Sequence, residues 1–215
     1  MWYKYPKTMH LPWSPGVQDD DKVIRNLDGL KGKRVIVTEK MDGENATLYR
    51  DHYHARSLDS KHHSSRDWIK AFHSTVKFSI PEDWRVCGEN LYAEHSIQYD
   101  SLPSYFMGFS IWSDENVCQS WDDTLVWFDL IGITPVSVWY DGLFDDFLSQ
   151  HHTLDMQVKG NVEGYVVRVA DAFAFSDFKH CVAKFVRKGH VQTDEHWMHK
   201  PVVPNGLQSD CRQDE

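Results

Sequence analysis

Apolar positions along the chain come in short runs separated by polar clusters, and few of them hold a helical period for long. Arg34 to Glu39 encloses an unbroken Val-Ile-Val and predicts a buried strand. Asn45 to Arg50 and Tyr53 to Arg56 predict a second, paired strand region, with Lys40 to Gly43 as the connection. "WRVCGE" (84–89), "SYFMGFSIW" (104–112) and Pro135 to Tyr140 predict further strands. "EGYVVRV" (163–169) and "HCVAKFVR" (180–187) predict a hairpin-like pair around a loop with Asp171 and Asp177. Helical spacing is confined to Ser65–Thr75, to Thr124–Ile131, capped by Thr124 or Asp123 and stopped at Gly132, and to Leu143–Gln150. The prolines of "LPWSPG" (11–16) make residues 1–27 an extended arm. Strands outnumber helices without alternating with them, so the expected class is α+β, with antiparallel sheets flanked by helices.

Composition narrows the functional classes. The 215 residues carry 41% hydrophobic and 13% aromatic positions, enough for one core over residues 1–207, with a loose tail at 208–215. Against 23 Lys+Arg stand 32 Asp+Glu, a net −9, which argues against binding nucleic acid through bulk charge. Contact with nucleic acid would be local, near basic stretches such as Lys31–Arg34 and Lys179–Lys188. The four cysteines are far apart and form no CxxC, so neither a zinc site nor a disulfide framework is suggested. With no signal-like segment and no apolar run of membrane length, the expectation is a cytoplasmic monomer that avoids membranes.

The chemistry concentrates around "TEKMDGEN". A lysine leaving a buried strand can have its ammonium destabilised, and a neutral amine is the nucleophile that attacks phosphorus or a carbonyl. Gly43 permits a tight turn and Asp42 stands ready for substrate or a proton, although an exposed hairpin turn uses the same residues. An ordered set follows: "ARS" (55–57), "GEN" (88–90), "MGFSIW" (107–112), "EGYVVR" (163–168) and "VAKFVR" (182–187).

This set resembles the covalent nucleotidyltransferase superfamily of ATP-dependent ligases and mRNA capping enzymes. Within it, the chain is most similar to RNA ligases like the second ligase of phage T4. The resemblance implies an adenylyltransferase domain, ATP-grasp-like, with the nucleotide in a cleft between sheets; in departure from the larger ligases, the sequence ends soon after the last motif, and no OB or other C-terminal domain is expected. It implies that Lys40 attacks the α-phosphate of ATP and carries AMP, and that Lys184 binds that phosphate. Glu39 would recognise adenine, Phe109 stack on it, Glu89 hold the ribose hydroxyls and Arg56 contact ribose or phosphates. Asp42, Gly43, Asn45 and Arg187 would complete the nucleotide site. Glu163, with Glu89 as a second candidate, would hold Mg²⁺ or Mn²⁺. The implied partner is RNA, as nicked duplex or RNA/DNA hybrid, in a bacterial or phage-infected cell. A small DNA ligase, a capping-type guanylyltransferase and a non-catalytic binding module are the alternatives.

Two positions depart from the family pattern. Val182 or Val186 stands where a second lysine is usual, with Arg187 or Lys188 as compensation, and Ser110 follows Phe109 where an acid is common. Among other signals, His52/His54, His62/His63 and His151/His152 read as solvated loop histidines, and His10 as an ordinary loop contact. "GLKGKR" (29–34) reads as a basic turn. "SSRDWIK" (64–70) offers Arg66 or Lys70 to a phosphate, or a helix start capped by Ser64 or Ser65. Trp2, Trp13 and Trp197 are candidates to stack on bases, and residues 189–207 to brace the cleft.

Overall fold

The computed structural model describes residues 1–59, 62–189 and 201–208. In chain order the elements are β1 (Met9–His10), β2 (Arg34–Lys40), β3 (Glu44–Tyr49), β4 (Tyr53–Ala55), α1 (Asp67–Val76), β5 (Arg85–Asn90), β6 (Phe106–Trp112) and β7 (Val117–Cys118). They continue with α2 (Trp121–Ile131), β8 (Thr134–Pro135), β9 (Val138–Leu143), α3 (Phe144–Gln157), β10 (Gly164–Val169), β11 (Phe173–Ala174), α4 (Phe178–Cys181) and β12 (Val182–Val186). The first sheet has the order β1-β12-β10-β2-β9; the second runs β11-β7-β6-β5-β3-β4, with β8 on β6. Pairing is antiparallel except at β1–β12 and β6–β8, so the α+β expectation holds.

The apolar runs become the cores expected of half-buried strands. Val35, Val37, Tyr165 and Val167 pack with Phe144 and Phe147 of α3 in one cluster. Ile69 and Val76 of α1 and Phe128 and Ile131 of α2 cover Leu48, Val86, Phe106 and Ile111 of the second sheet in another. No helix among the described residues is long and apolar enough to cross a membrane.

Several local expectations change. The predicted strand at 135–140 is split between sheets, because β8 docks on β6, with the Val136 amide donating to Gly108 O at 2.9 Å, while β9 pairs with β2. The α2 cap is Ser120 rather than Thr124 or Asp123: its Oγ accepts from the Asp123 amide at 3.1 Å and donates to Asp123 Oδ2 at 2.6 Å. Gly132 stops that helix in the left-handed region, φ 86°, as its position predicts. Neither Ser64 nor Ser65 caps α1; a 3-10 turn capped by His63 precedes it. The loop between β10 and β12 is largely structured, with β11 joining the second sheet at β7.

The arm is more than a loop. Trp2 stacks on His52 with ring centroids 3.7 Å apart, and the Tyr3 amide donates to Tyr49 Oη at 2.8 Å, which ties it to the second sheet. Tyr5 then enters between the sheets, its ring 5.2 Å from Phe109 and 5.3 Å from Phe178. Met9 and His10 pair with Ala183 and Lys184 at the edge of the first sheet.

Candidate active site

Between the sheets lies a cavity of about 720 Å³, and both sheets send charged side chains into it. From the first sheet a single cross-strand row runs Thr38–Val166–Lys184–His10, and the row two residues along holds Lys40–Gly164–Val186. Because side chains alternate along a strand, these pairings put Lys40, Val166 and Lys184 on the same face. Gly164 is needed for the close packing: a Cβ there would meet Phe185 O at 1.9 Å. The second sheet contributes Asn45, Glu89 and Phe109, and Arg56 follows β4. Gly43 makes the turn between the sheets, where a Cβ would lie 2.6 Å from Asn90 O.

Lys40 Nζ donates to Glu163 Oε2 at 2.6 Å, and Glu163 is buried. Burial pulls Lys40 down, but the carboxylates of Glu163, Glu89 and Asp42 together outweigh it and hold the ammonium above the ordinary lysine range. The expectation of a destabilised ammonium is therefore corrected for this state of the protein: three nearby carboxylates stabilise the charged form. The converse appears at Glu89. Burial first, and then Glu163 and Asp42, push it up to about 8 against the pull of Lys40 and the Gly43 amide. Glu39 is raised by burial. Lys184 is lowered by burial, opposed by Asp21 and reinforced by Lys40. Asn45 Oδ1 is buried without a hydrogen bond, an acceptor left for a ligand or water. Carboxylates outnumber lysines around Lys40, so the donor set suits a divalent cation, with Glu163 and Glu89 as the residues to hold it.

Of the predicted residues, Glu39, Lys40, Gly43, Asn45, Arg56, Glu89, Phe109, Glu163 and Lys184 line the cavity together. Asp42 does not. Its Oδ2 accepts from the Ser96 and Ile97 amides, both at 2.8 Å, so it pins the 91–105 loop while acting on Lys40 only through its charge. Arg187 does not either: its guanidinium donates to Val162 O at 2.8 Å and Gly160 O at 3.0 Å and secures the turn before Glu163. It therefore offers no compensation for Val182 and Val186, which line the cavity as apolar surface. Arg66 is committed to Glu44, with its Nε 2.7 Å from Oε2. His54 is buried rather than solvated, His10 is a buried residue of strand β1 rather than a loop contact, and the ligand atoms of His151, His152 and Asp155 lie within 4.8 Å of one another. Trp13 Nε1 donates to Tyr165 Oη at 3.0 Å, and Trp197 falls outside the described residues, as does 190–200 of the bracing segment. Its described part holds the 91–105 loop: Asn205 Nδ2 donates to Leu91 O and its Oδ1 accepts from the Tyr99 amide, each at 2.8 Å.

The sequence reading missed Lys7 and Asp21, which line the cavity beside Lys184, and Arg168. Arg168 is buried and donates to Gln119 O at 2.8 Å, joining the sheets behind Phe109.

A lysine paired with a buried carboxylate, in a cleft between two antiparallel sheets and ringed by acids, an aromatic ring and a second lysine, defines a nucleotidyltransferase-type site. The family model for RNA ligase matches residues 33–186, and the chain belongs to that family. In fold it is similar to an archaeal ATP-dependent RNA ligase, with TM-score 0.54 and 16% identity over 85% of this chain and 48% of that one. It is also similar to a Naegleria gruberi RNA ligase variant with ATP and Mn, TM-score 0.52 and 16% identity over 86% of this chain and 61% of that one. The same organism's RNA ligase with PPi gives TM-score 0.51 and 17% identity over 85% and 57%. The chain thus spans 48% to 61% of the length of these solved ligases. No curated protein matched it.

Proposed function

We propose that the protein is an ATP-dependent RNA ligase that joins a 5′-phosphate to a 3′-hydroxyl through an AMP adduct on Lys40. The observation that carries this reading is the Lys40–Glu163 pair at 2.6 Å inside a cavity shaped by both sheets. To attack, Lys40 must lose a proton, and Glu163 Oε2 is the base within reach. The amine then forms an N–P bond to the α-phosphorus, the bond from that phosphorus to the bridging oxygen breaks, and pyrophosphate leaves. Lys184, facing the same space, offsets charge on the phosphoryl oxygens. Phe109 and Val166, from opposite sheets, line the cavity with Glu39 and Glu89, and in this reading the base sits against them. AMP next passes from Lys40 to the 5′-phosphate of the strand, and attack by the 3′-hydroxyl releases it. A divalent ion, Mg²⁺ or Mn²⁺, held by Glu163 and Glu89 would draw electrons from the phosphates as the leaving group departs.

The test is intact mass after incubation with ATP and Mg²⁺, beginning from protein free of AMP. The parent gains the mass of AMP and Lys40→Ala does not. No adduct with ATP, GTP or Mn²⁺ would overturn the reading in favour of a binding module, and an adduct with GTP alone would make it a capping-type enzyme. Sealing of RNA nicks over DNA nicks separates an RNA ligase from a DNA ligase.

A further inference from the structure

A second charged cluster in the cavity is built by the arm. Asp21 Oδ1 lies 3.4 Å from Lys7 Nζ and 3.7 Å from Lys184 Nζ. Its Oδ2 lies 3.1 Å from His10 Nε2 and accepts from the Gln18 amide at 3.2 Å. His10 is 1% exposed, and its Nδ1 is 2.8 Å from Ser14 Oγ, which also accepts from the Val186 amide at 2.9 Å. Its Nε2, although close to Asp21, makes no hydrogen bond. That ring nitrogen, 3.1 Å from a carboxylate oxygen yet without a well-aligned bond to it, would gain from a better-placed acceptor.

Three basic side chains, Lys7 and His10 of the arm and Lys184 of β12, thus converge on Asp21, with Lys7 also paired to Asp20 Oδ2 at 2.7 Å. Carboxylate and phosphoryl oxygens share a charge sign and act as acceptors only, so a cradle that seats one suits the other. Asp21 sits in a short turn closed by its own amide on Gln18 O at 3.0 Å. The contacts on either side, Gly16 N to Val186 O at 2.9 Å before the turn and His10 N to Lys22 O and Ile24 N to His10 O, both 2.8 Å, after it, belong to the sheet edge and involve none of the turn residues 18–21. We propose that Lys7, His10 and Lys184 form a phosphoryl-binding cradle, and that Asp21 fills it until an incoming phosphoryl group displaces it. The chemistry admits two sources, the pyrophosphate tail of a nucleotide and the 5′-phosphate of a strand. The assignment to one of them rests on the ligase reading; the cradle itself does not.

Calorimetry with inorganic pyrophosphate, on AMP-free protein without divalent ions, tests the proposal. Asp21→Asn binds about tenfold tighter than the parent, a gain of about 1.4 kcal/mol. Lys7→Met, at an exposed position that carries no core packing, binds several-fold weaker. Equal or weaker binding by a folded Asp21→Asn overturns the proposal. So does unchanged binding by Lys7→Met, which holds even if the Asp21 variant fails to fold. Weaker binding of Asp21→Asn seen only with Mg²⁺ would make Asp21 a metal ligand and would also overturn it. Repeating the titration with 5′-phosphorylated and 5′-hydroxyl oligoribonucleotides assigns the source: a gain for pyrophosphate alone points to the nucleotide tail, and one for the 5′-phosphorylated strand to the strand end. If no AMP adduct forms and the Asp21 gain persists, the ligase reading falls and the cradle stands. An adduct with no change in either variant does the reverse.

Discussion

At Lys40 burial and charge pull one nitrogen in opposite directions, and the carboxylates win. That balance has a counterpart at Glu89, whose folded value near 8 lies well above the ordinary 4.5. The sign follows from linkage: the folded protein keeps this proton after the unfolded chain has released it. The stability it contributes is full below the ordinary carboxylate range and is lost as pH rises through about 8. Without nucleotide, the melting temperature of the parent should therefore fall from pH 5 to pH 8.5, and that of Glu89→Gln should fall less. Equal slopes would mean that Glu89 ionises normally. At this scale the sequence was informative wherever a residue type is tied to a turn or a reacting group, as with Lys40, Gly43 and Glu163. It was silent on direction: nothing in "KMDG" says that the Asp42 carboxylate turns to the Ser96 and Ile97 amides.

Elements were legible where period and boundary agreed. β2, β3, β5, β6 and β10 lie within a residue or two of the apolar runs that announce them. The failures are boundary effects. Ser120 was passed over because Asp123 and Thr124 read as caps, and only the bond to the Asp123 amide decides among them. Ser120→Ala should cost about 1 kcal/mol in chemical denaturation, whereas Thr124→Ser should cost less. A larger effect is expected where two strands leave no room. Gly164→Ala places a Cβ 1.9 Å from the Phe185 carbonyl oxygen and against the Val186 backbone, and paired backbone cannot swing aside as a side chain would. It should destabilise by about 3 kcal/mol or more. Since Gly164 lies between Glu163 and the Lys184 strand, it should also reduce formation of the AMP adduct in protein that remains folded.

On the scale of the whole molecule, the arm joins what local pattern cannot. Leu11 and Ile24 are 0% and 3% exposed, and Tyr5 packs between the sheets. Each large buried side chain is worth about 2–5 kcal/mol, against a total margin of about 5–15 kcal/mol for a domain. Removing residues 1–24 should therefore leave a chain that does not fold cooperatively, measured by the loss of its thermal transition. A truncated protein that melts like the parent would reduce the arm to decoration. The arm was read as an extended arm or loop because of its prolines. Its place could not be read, because a two-residue strand has no period and its partner lies far along the chain.

That pairing has a consequence for the order of events at the ribosome. Because His10 pairs with Lys184, β1 leaves the exit tunnel long before the strand that receives it. Nascent chains holding β2 to β9 already expose Lys40 but lack both Glu163 and Lys184, so the reactive pocket closes only when synthesis is well advanced. Until then the arm has its contacts with the second sheet, Trp2 on His52 and Tyr3 on Tyr49, but β1 lacks its strand partner, and a pairing of such long range closes late.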